Sequence, residues 1–164
     1  MNILAIDPAT HCGWAFGDGR THVSGTWDLS TRRDESSGMK LIRLRAKLEH
    51  FVPASDVVVF EAARHSAPGM QGALVHQARL QSVIEMWCED RGVEYRGYSP
   101  SEIKKFATGK GNAGKPAVVA AVESRWGAVA DDNEADAVAL LYLAHHELGS
   151  EQCPALRGAE AATP

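Results

Sequence analysis

Cysteine is scarce in this sequence. Cys12, Cys88 and Cys153 are odd in number and far apart, which excludes a disulfide framework and a paired zinc pattern. A reducing, cytoplasmic compartment is therefore expected. No apolar run approaches the ~18 residues of a membrane span, and the amino terminus lacks the basic start of a signal peptide. The expectation is a soluble, unexported protein with no membrane partner. No internal repeat is evident, and the glycine-bearing stretch Thr108–Gly114 lacks the spacing of a P-loop.

What is present is an ordinary globular composition, 45% hydrophobic and 23% charged over 164 residues. A chain of that length forms one domain and buries roughly 70% of its unfolded surface. The formal charge of −4 is unevenly spread. Between Arg91 and Gly127 stand Arg91, Arg96, Lys104, Lys105, Lys110, Lys115 and Arg125 against only Glu94, Glu102 and Glu123. A basic segment inside an acidic chain points to a polyanion on one face and to acids gathered elsewhere for another purpose.

The apolar run Asn2–Asp7 reads as a buried central strand that ends in a carboxylate, stopped by Pro8. Asp7 is either a turn-capping acid bonded to the amides of Ala9 and Thr10 or a functional one. Gly13–Gly17 and Arg20–Leu29 follow as strands around the Asp18-Gly19 turn, so the chain opens as an antiparallel meander. Met39–Phe51 has helical periodicity, with apolar residues at 41, 42, 44, 48 and 51, and Pro53 ends it. Asp56–Glu61 is a β-branched run that again finishes in a carboxylate. The strand–helix–strand order implies a parallel pair beside the meander, with Asp7 and Glu61 at one edge of the sheet.

Arg64–Gly72 reads as a loop and Ala73–Arg91 as a helix, with Leu74, Ala78, Leu80, Ile84 and Trp87 on its core side. Val93–Tyr98 is a fifth strand. Ser99-Pro100-Ser101-Glu102 is a capping box opening a helix, and a further helix runs from Lys115 to Trp126. Asp131–Leu148 is the last helix, and residues 149–164 read as a disordered tail. His145 and His146 are expected to be structural, favoured near a helix C-terminus. Cys12 and Trp14 are assigned to packing.

Asp131 and Glu134 suit a second capping box, but Asp136 lies a turn inside the helix on its apolar side. Asp132 and Asn133 are four and three residues earlier, so either can share its face. An acid facing the core needs a positive partner, and a divalent ion held jointly with Asp7 and Glu61 supplies one. All-oxygen ligands from separate elements suit Mg²⁺ or Mn²⁺. Two such ions about 3.5–4 Å apart can activate water and stabilise the leaving oxygen of a phosphodiester.

The Asp7 strand, the strand ending in Glu61 and the final helix with Asp136-Ala137 resemble the RuvC-type Holliday junction resolvases of the RNase H-like superfamily. Tyr98-Ser99-Pro100, Ile103-Lys104, Gly109, Gly111 and Lys115 extend the resemblance, which covers roughly residues 1–148 in order. It implies an α/β fold with a five-stranded mixed sheet flanked by helices, a homodimer, and Mg²⁺-dependent nicking of four-way and other branched DNA. By position Asp7, Glu61 and Asp136 carry over as metal-binding catalytic acids. The family's fourth acid or histidine meets Asn133 here, and Asp132 with Asn133 assisting takes that place. The family's stacking aromatic after Glu61 is absent, leaving Arg64 to stack or bind phosphate. Lys104, Lys110 and Lys115 are the expected DNA contacts, with Lys115 also beside the scissile phosphate. The alternatives are an RNase H-like nuclease acting on RNA or RNA–DNA hybrids, and an inactive junction-binding module.

Overall fold

The computed structural model of the chain describes residues 1–51, 55–63 and 71–151. The described residues form five strands and five helices in the order β1 (Ile3–Asp7), β2 (His11–Gly17), β3 (His22–Asp28), α1 (Met39–Phe51), β4 (Val57–Glu61), α2 (Gln71–Arg91), β5 (Glu94–Tyr98), α3 (Pro100–Thr108), α4 (Lys115–Trp126) and α5 (Asp132–Glu151). The strands form one sheet in the order β3-β2-β1-β4-β5. The meander β1–β3 is antiparallel, and β4 and β5 add to β1 in parallel. This is the expected mixed five-stranded sheet flanked by helices.

Side chains alternate between faces along each strand, and this alternation builds two cores. Ile3, Ala5, Val57 and Val59 face α3, α4 and α5, packing with Val138, Leu141 and Ile103. Leu4, Ile6, Val58 and Phe60 face α1 and α2, packing with Leu44, Leu48, Leu80 and Trp87. β1 and β4 are thus buried on both faces, which is why they read as continuous apolar runs.

Several boundaries move for local reasons. Asp18 accepts hydrogen bonds from the amides of Arg20 and Thr21 at 2.9 Å each, so the turn consumes residues 18–21 and β3 starts at His22. Ile42 on α1 is 61% exposed and Ala78 on α2 is exposed, although the apolar pattern placed both on core faces. Val83 and Cys88 take the buried places on α2 instead. α5 runs on to Glu151, so residues 149–151, expected in the tail, are helical. The rest of that tail lies outside the described residues, as do Pro53 and Arg64.

His145 is structural, but not as a helix-terminal cation. Its Nε2 lies 3.1 Å from the Gly17 carbonyl oxygen, and burial lowers its pKa. Cys12 is buried, and Trp14 stacks on Trp27 with ring centroids 5.5 Å apart, as packing residues should.

Candidate functional site

Strand parity decides which way the strand-end acids face. Asp7 follows Ile3 and Ala5 in phase, and Glu61 follows Val57 and Val59, so both belong to the face covered by α5. In the β1–β4 ladder Ile6 pairs with Phe60, so Asp7 and Glu61 are the next residues along adjacent parallel strands. Across the other edge of β1, Asp7 pairs with Gly13 of β2. A Cβ on Gly13 would lie 1.9 Å from the backbone oxygen of Asn133. Only a residue without a side chain lets the first turn of α5 rest there, and that contact delivers Asn133 and Asp136 to Asp7.

The same turn is tied to β3. The Asp131 carboxylate accepts from the Glu134 amide at 2.8 Å, as an N-cap does, and from the Thr26 hydroxyl at 2.8 Å. Buried Glu134 accepts from the Ala130 amide and from the Ser24 hydroxyl, both at 2.7 Å. Asp131 and Glu134 therefore hold the helix start and leave Asp136 to the site.

Asp7, Glu61, Asp136 and Asn133 line one open cavity of about 540 Å³, together with Thr10, His76, Gln77, Lys104 and Lys115. Asp7, Glu61 and Asp136 are half-buried, and each has a raised pKa. Burial, then the Glu61 and Asp136 charges, push Asp7 well above the ordinary carboxylate range, with Lys115 opposing them. Burial and Asp136 raise Glu61, which Gln77 and Lys104 partly relieve. Gln77 Nε2 donates to Glu61 at 3.3 Å. Burial lifts Asp136 to about 6, against the pull of Lys104 and Lys115. Three acids crowded beyond what their neighbours compensate are a site short of positive charge.

Asp132 stands apart from them. Its carboxylate is ion-paired with the Lys115 ammonium at the start of α4, which lowers the Asp132 pKa and raises that of Lys115. Asn133, not Asp132, is the cavity-lining residue at the head of α5. Lys104 sits on α3, whose start is the expected capping box. Glu102 N donates to Ser99 Oγ at 3.3 Å, Ser99 N donates to Glu102 Oε2 at 2.8 Å, and Pro100 occupies the first turn. Lys110 is exposed and outside the cavity, its amide bonded to Thr108 Oγ1 at 3.1 Å.

Reasoning from the sequence missed the contributions of α2 and of the turn after β1. His76, Gln77 and Thr10 carry no motif, and only the fold brings them to the acids. Gly13 did leave a trace, since a glycine within a strand marks a close backbone approach.

No three histidine, cysteine, aspartate or glutamate side chains among the described residues converge as a finished ion cage. The donor set nevertheless fits a hard divalent ion. It consists of three carboxylates and one amide from three separate elements around one cavity, with mutual repulsion only partly relieved.

A mixed sheet in this order, with acids closing β1 and β4 and a third on α5, defines an RNase H-like α/β protein. Comparison with known proteins makes the likeness more particular. The chain is 28% identical over 149 residues to the crossover junction endodeoxyribonuclease RuvC of Mycobacterium tuberculosis, covering 88% of this chain and 79% of that one. It is 29% identical over 153 residues to RuvC of Mycobacterium sp. strain KMS, covering 88% and 80%. Among solved structures, Thermus thermophilus RuvC in complex with a Holliday junction substrate superposes with a TM-score of 0.72 at 21% identity, covering 93% of this chain and 96% of that one. A second T. thermophilus RuvC structure gives 0.65. No protein-family model matches the chain. The likeness to RuvC-type resolvases first drawn from the acid-bearing elements is thus borne out in sequence and in fold.

Proposed function

We propose that this protein is a metal-dependent, structure-selective endodeoxyribonuclease that resolves four-way and other branched DNA junctions. The observation that carries the reading is the set of three acids with raised pKa, Asp7, Glu61 and Asp136, from three elements in one open cavity beside Lys104 and Lys115. RuvC relatives named as crossover junction endodeoxyribonucleases, and a RuvC structure bound to a Holliday junction, support the choice of substrate.

Asp7, Glu61 and Asp136 would hold the metal through carboxylate oxygens, with the Asn133 side-chain carbonyl beside them. Bound there, Mg²⁺ or Mn²⁺, in our reading two ions per site, would supply water activation and charge neutralisation at the phosphate. The chain's own groups do the rest. Gln77 orients Glu61 through its amide, and the Gly13 contact keeps α5 against β1 so that Asp136 stays opposite Asp7. Lys104 and Lys115 draw the phosphodiester to the acids. Asp132 holds Lys115 at the cavity rim, and would be a further carboxylate for the ligand set only with that ion pair opened.

A homodimer belongs to the same proposal, since paired nicks in a two-fold junction need two sites. Val75 and Met86, 59% and 51% exposed on the outward face of α2, are apolar groups available for it. A cytoplasmic location is consistent with Cys12 and Cys88, which are free and buried. No helix among the described residues is long and apolar enough to cross a membrane.

The test is cleavage of an end-labelled four-way junction with and without Mg²⁺, beside linear duplex DNA and an RNA–DNA hybrid. Symmetric paired nicks in the junction alone are expected. Preferential cutting of the hybrid would transfer the protein to the RNA-directed nucleases. Junction binding without any cutting in Mg²⁺ or Mn²⁺ would make it a binding module.

A further inference from the structure

Behind the Thr10–His76 side of the cavity stand two cations, Lys40 and Arg79, that do not line it and that the carboxylate chemistry does not use. Lys40 on α1 donates from Nζ to Thr10 Oγ1 at 3.1 Å, and Thr10 Oγ1 lies 3.3 Å from His76 Nε2 on α2. Thr10 and His76 both line the cavity that holds Asp7, Glu61 and Asp136. Arg79, one turn further along α2, donates to Ser37 Oγ at 3.4 Å. Among the described residues no carboxylate is paired with Lys40 or Arg79. Burial, and then the charges of Lys40 and Arg79, lowers the pKa of His76.

Lys40 fixes one end of this chain of bonds. Lys40 can only donate, so Thr10 Oγ1 accepts from it, while Thr10 Oγ1 and His76 Nε2 share one hydrogen whose donor is set by the imidazole tautomer. The ammonium of Lys40 keeps two further hydrogens to donate. A one-sided set of donors with unbalanced positive charge, beside an acidic floor, suits an anion that spans both. The backbone of a DNA strand is such an anion, because successive phosphates can lie on successive subsites.

We propose that Lys40, Thr10 and His76 form a second phosphate subsite on the α1–α2 wall of the cavity. It holds a backbone phosphate next to the one presented to the carboxylates. Thr10 is three residues beyond Asp7, and three residues span at most about 10 Å, so the two phosphates are near neighbours on one strand. Lys104 and Lys115 form the opposite wall, and a strand gripped on both walls has its direction through the site defined. This inference rests on the reading of the cavity as a DNA-cleaving site.

The experiment measures binding of the full chain to a synthetic four-way junction in Ca²⁺, for wild type and for Lys40→Gln, Lys40→Arg and His76→Ala. Salt titrations are combined with single methylphosphonate substitutions, which remove one phosphate charge at a time around the nick site. Lys40→Gln is expected to weaken binding on the order of fivefold and to reduce the salt slope by about 0.9. Lys40→Arg should retain the slope. One methylphosphonate position should weaken wild type on the order of fivefold and leave Lys40→Gln and His76→Ala nearly unchanged, because the contact is already lost. Thermal melts that match wild type show that the variants are folded, and the Arg variant separates loss of charge from loss of fold. If both variants keep the wild-type slope and the wild-type response at every substituted phosphate, the subsite does not exist. If wild type fails to prefer the junction over linear duplex, the junction-resolvase reading falls, while the salt slopes and methylphosphonate responses still decide the subsite.

Discussion

Asp136 offers the sharpest test, because neutralising it should cost activity and improve stability at once. Its pKa is lifted from the ordinary 3.8 to about 6, with burial as the main cause. A raised acid is protonated more readily in the folded state than in the unfolded chain. Its penalty is therefore absent below 3.8, grows between 3.8 and 6, and is complete above 6. Roughly two pKa units correspond to about 3 kcal/mol at neutral pH as an upper limit. Solvent contact of this half-buried group reduces that to the order of 1–2 kcal/mol.

Asp136→Asn keeps the shape and removes the charge. It also relieves Asp7 and Glu61, both of which are raised by Asp136. In EDTA at pH 7.5 the variant should melt about 3–6 °C above wild type, and that advantage should vanish near pH 4. Calorimetry across this range measures it. Added Mg²⁺ should raise the melting temperature of wild type and not of the variant, since a ligand bound only to the folded state stabilises by mass action. Junction cleavage should disappear in the variant. A variant less stable than wild type in EDTA at pH 7.5, or an advantage that does not change with pH, would refute the argument that the fold bears the cost of an ionised, buried Asp136.

Three further outcomes follow from the same geometry. Gly13→Ala places a methyl group against the Asn133 backbone, so urea unfolding should show a loss of about 2–3 kcal/mol or more, together with lost cleavage. Asp132→Asn breaks a pair whose Lys115 side chain is 70% exposed, so stability should change by less than about 1 kcal/mol while the junction-cleavage rate falls. Ser99→Ala removes the α3 cap that positions Lys104, and thermal denaturation should register a loss of about 1 kcal/mol.

Much of the frame was legible because local chemistry writes it. The apolar runs of β1 and β4, the helical period of α1, the capping box at Ser99 and the span Lys115–Trp126 are short-range signals, and each element formed where those signals put it. Patterning was less reliable for Ile42 and Ala78, since a periodic apolar residue is buried only if a neighbouring layer reaches it. Among the described residues no such layer covers the exposed faces of α1 and α2.

By itself the sequence determined which strands end in acids and which helix carries the third. Tertiary structure decided how those acids meet. Parity along β1 and β4 turns Asp7 and Glu61 toward α5, and the bare backbone of Gly13 lets α5 settle close enough for Asp136 to join them. The fold also parted two neighbours that the sequence left interchangeable, pairing Asp132 with Lys115 and turning Asn133 into the cavity. It brought Thr10, Lys40 and His76 together from a turn and two helices. No spacing along a chain encodes such contacts, because they depend on the packing of whole helices against the sheet.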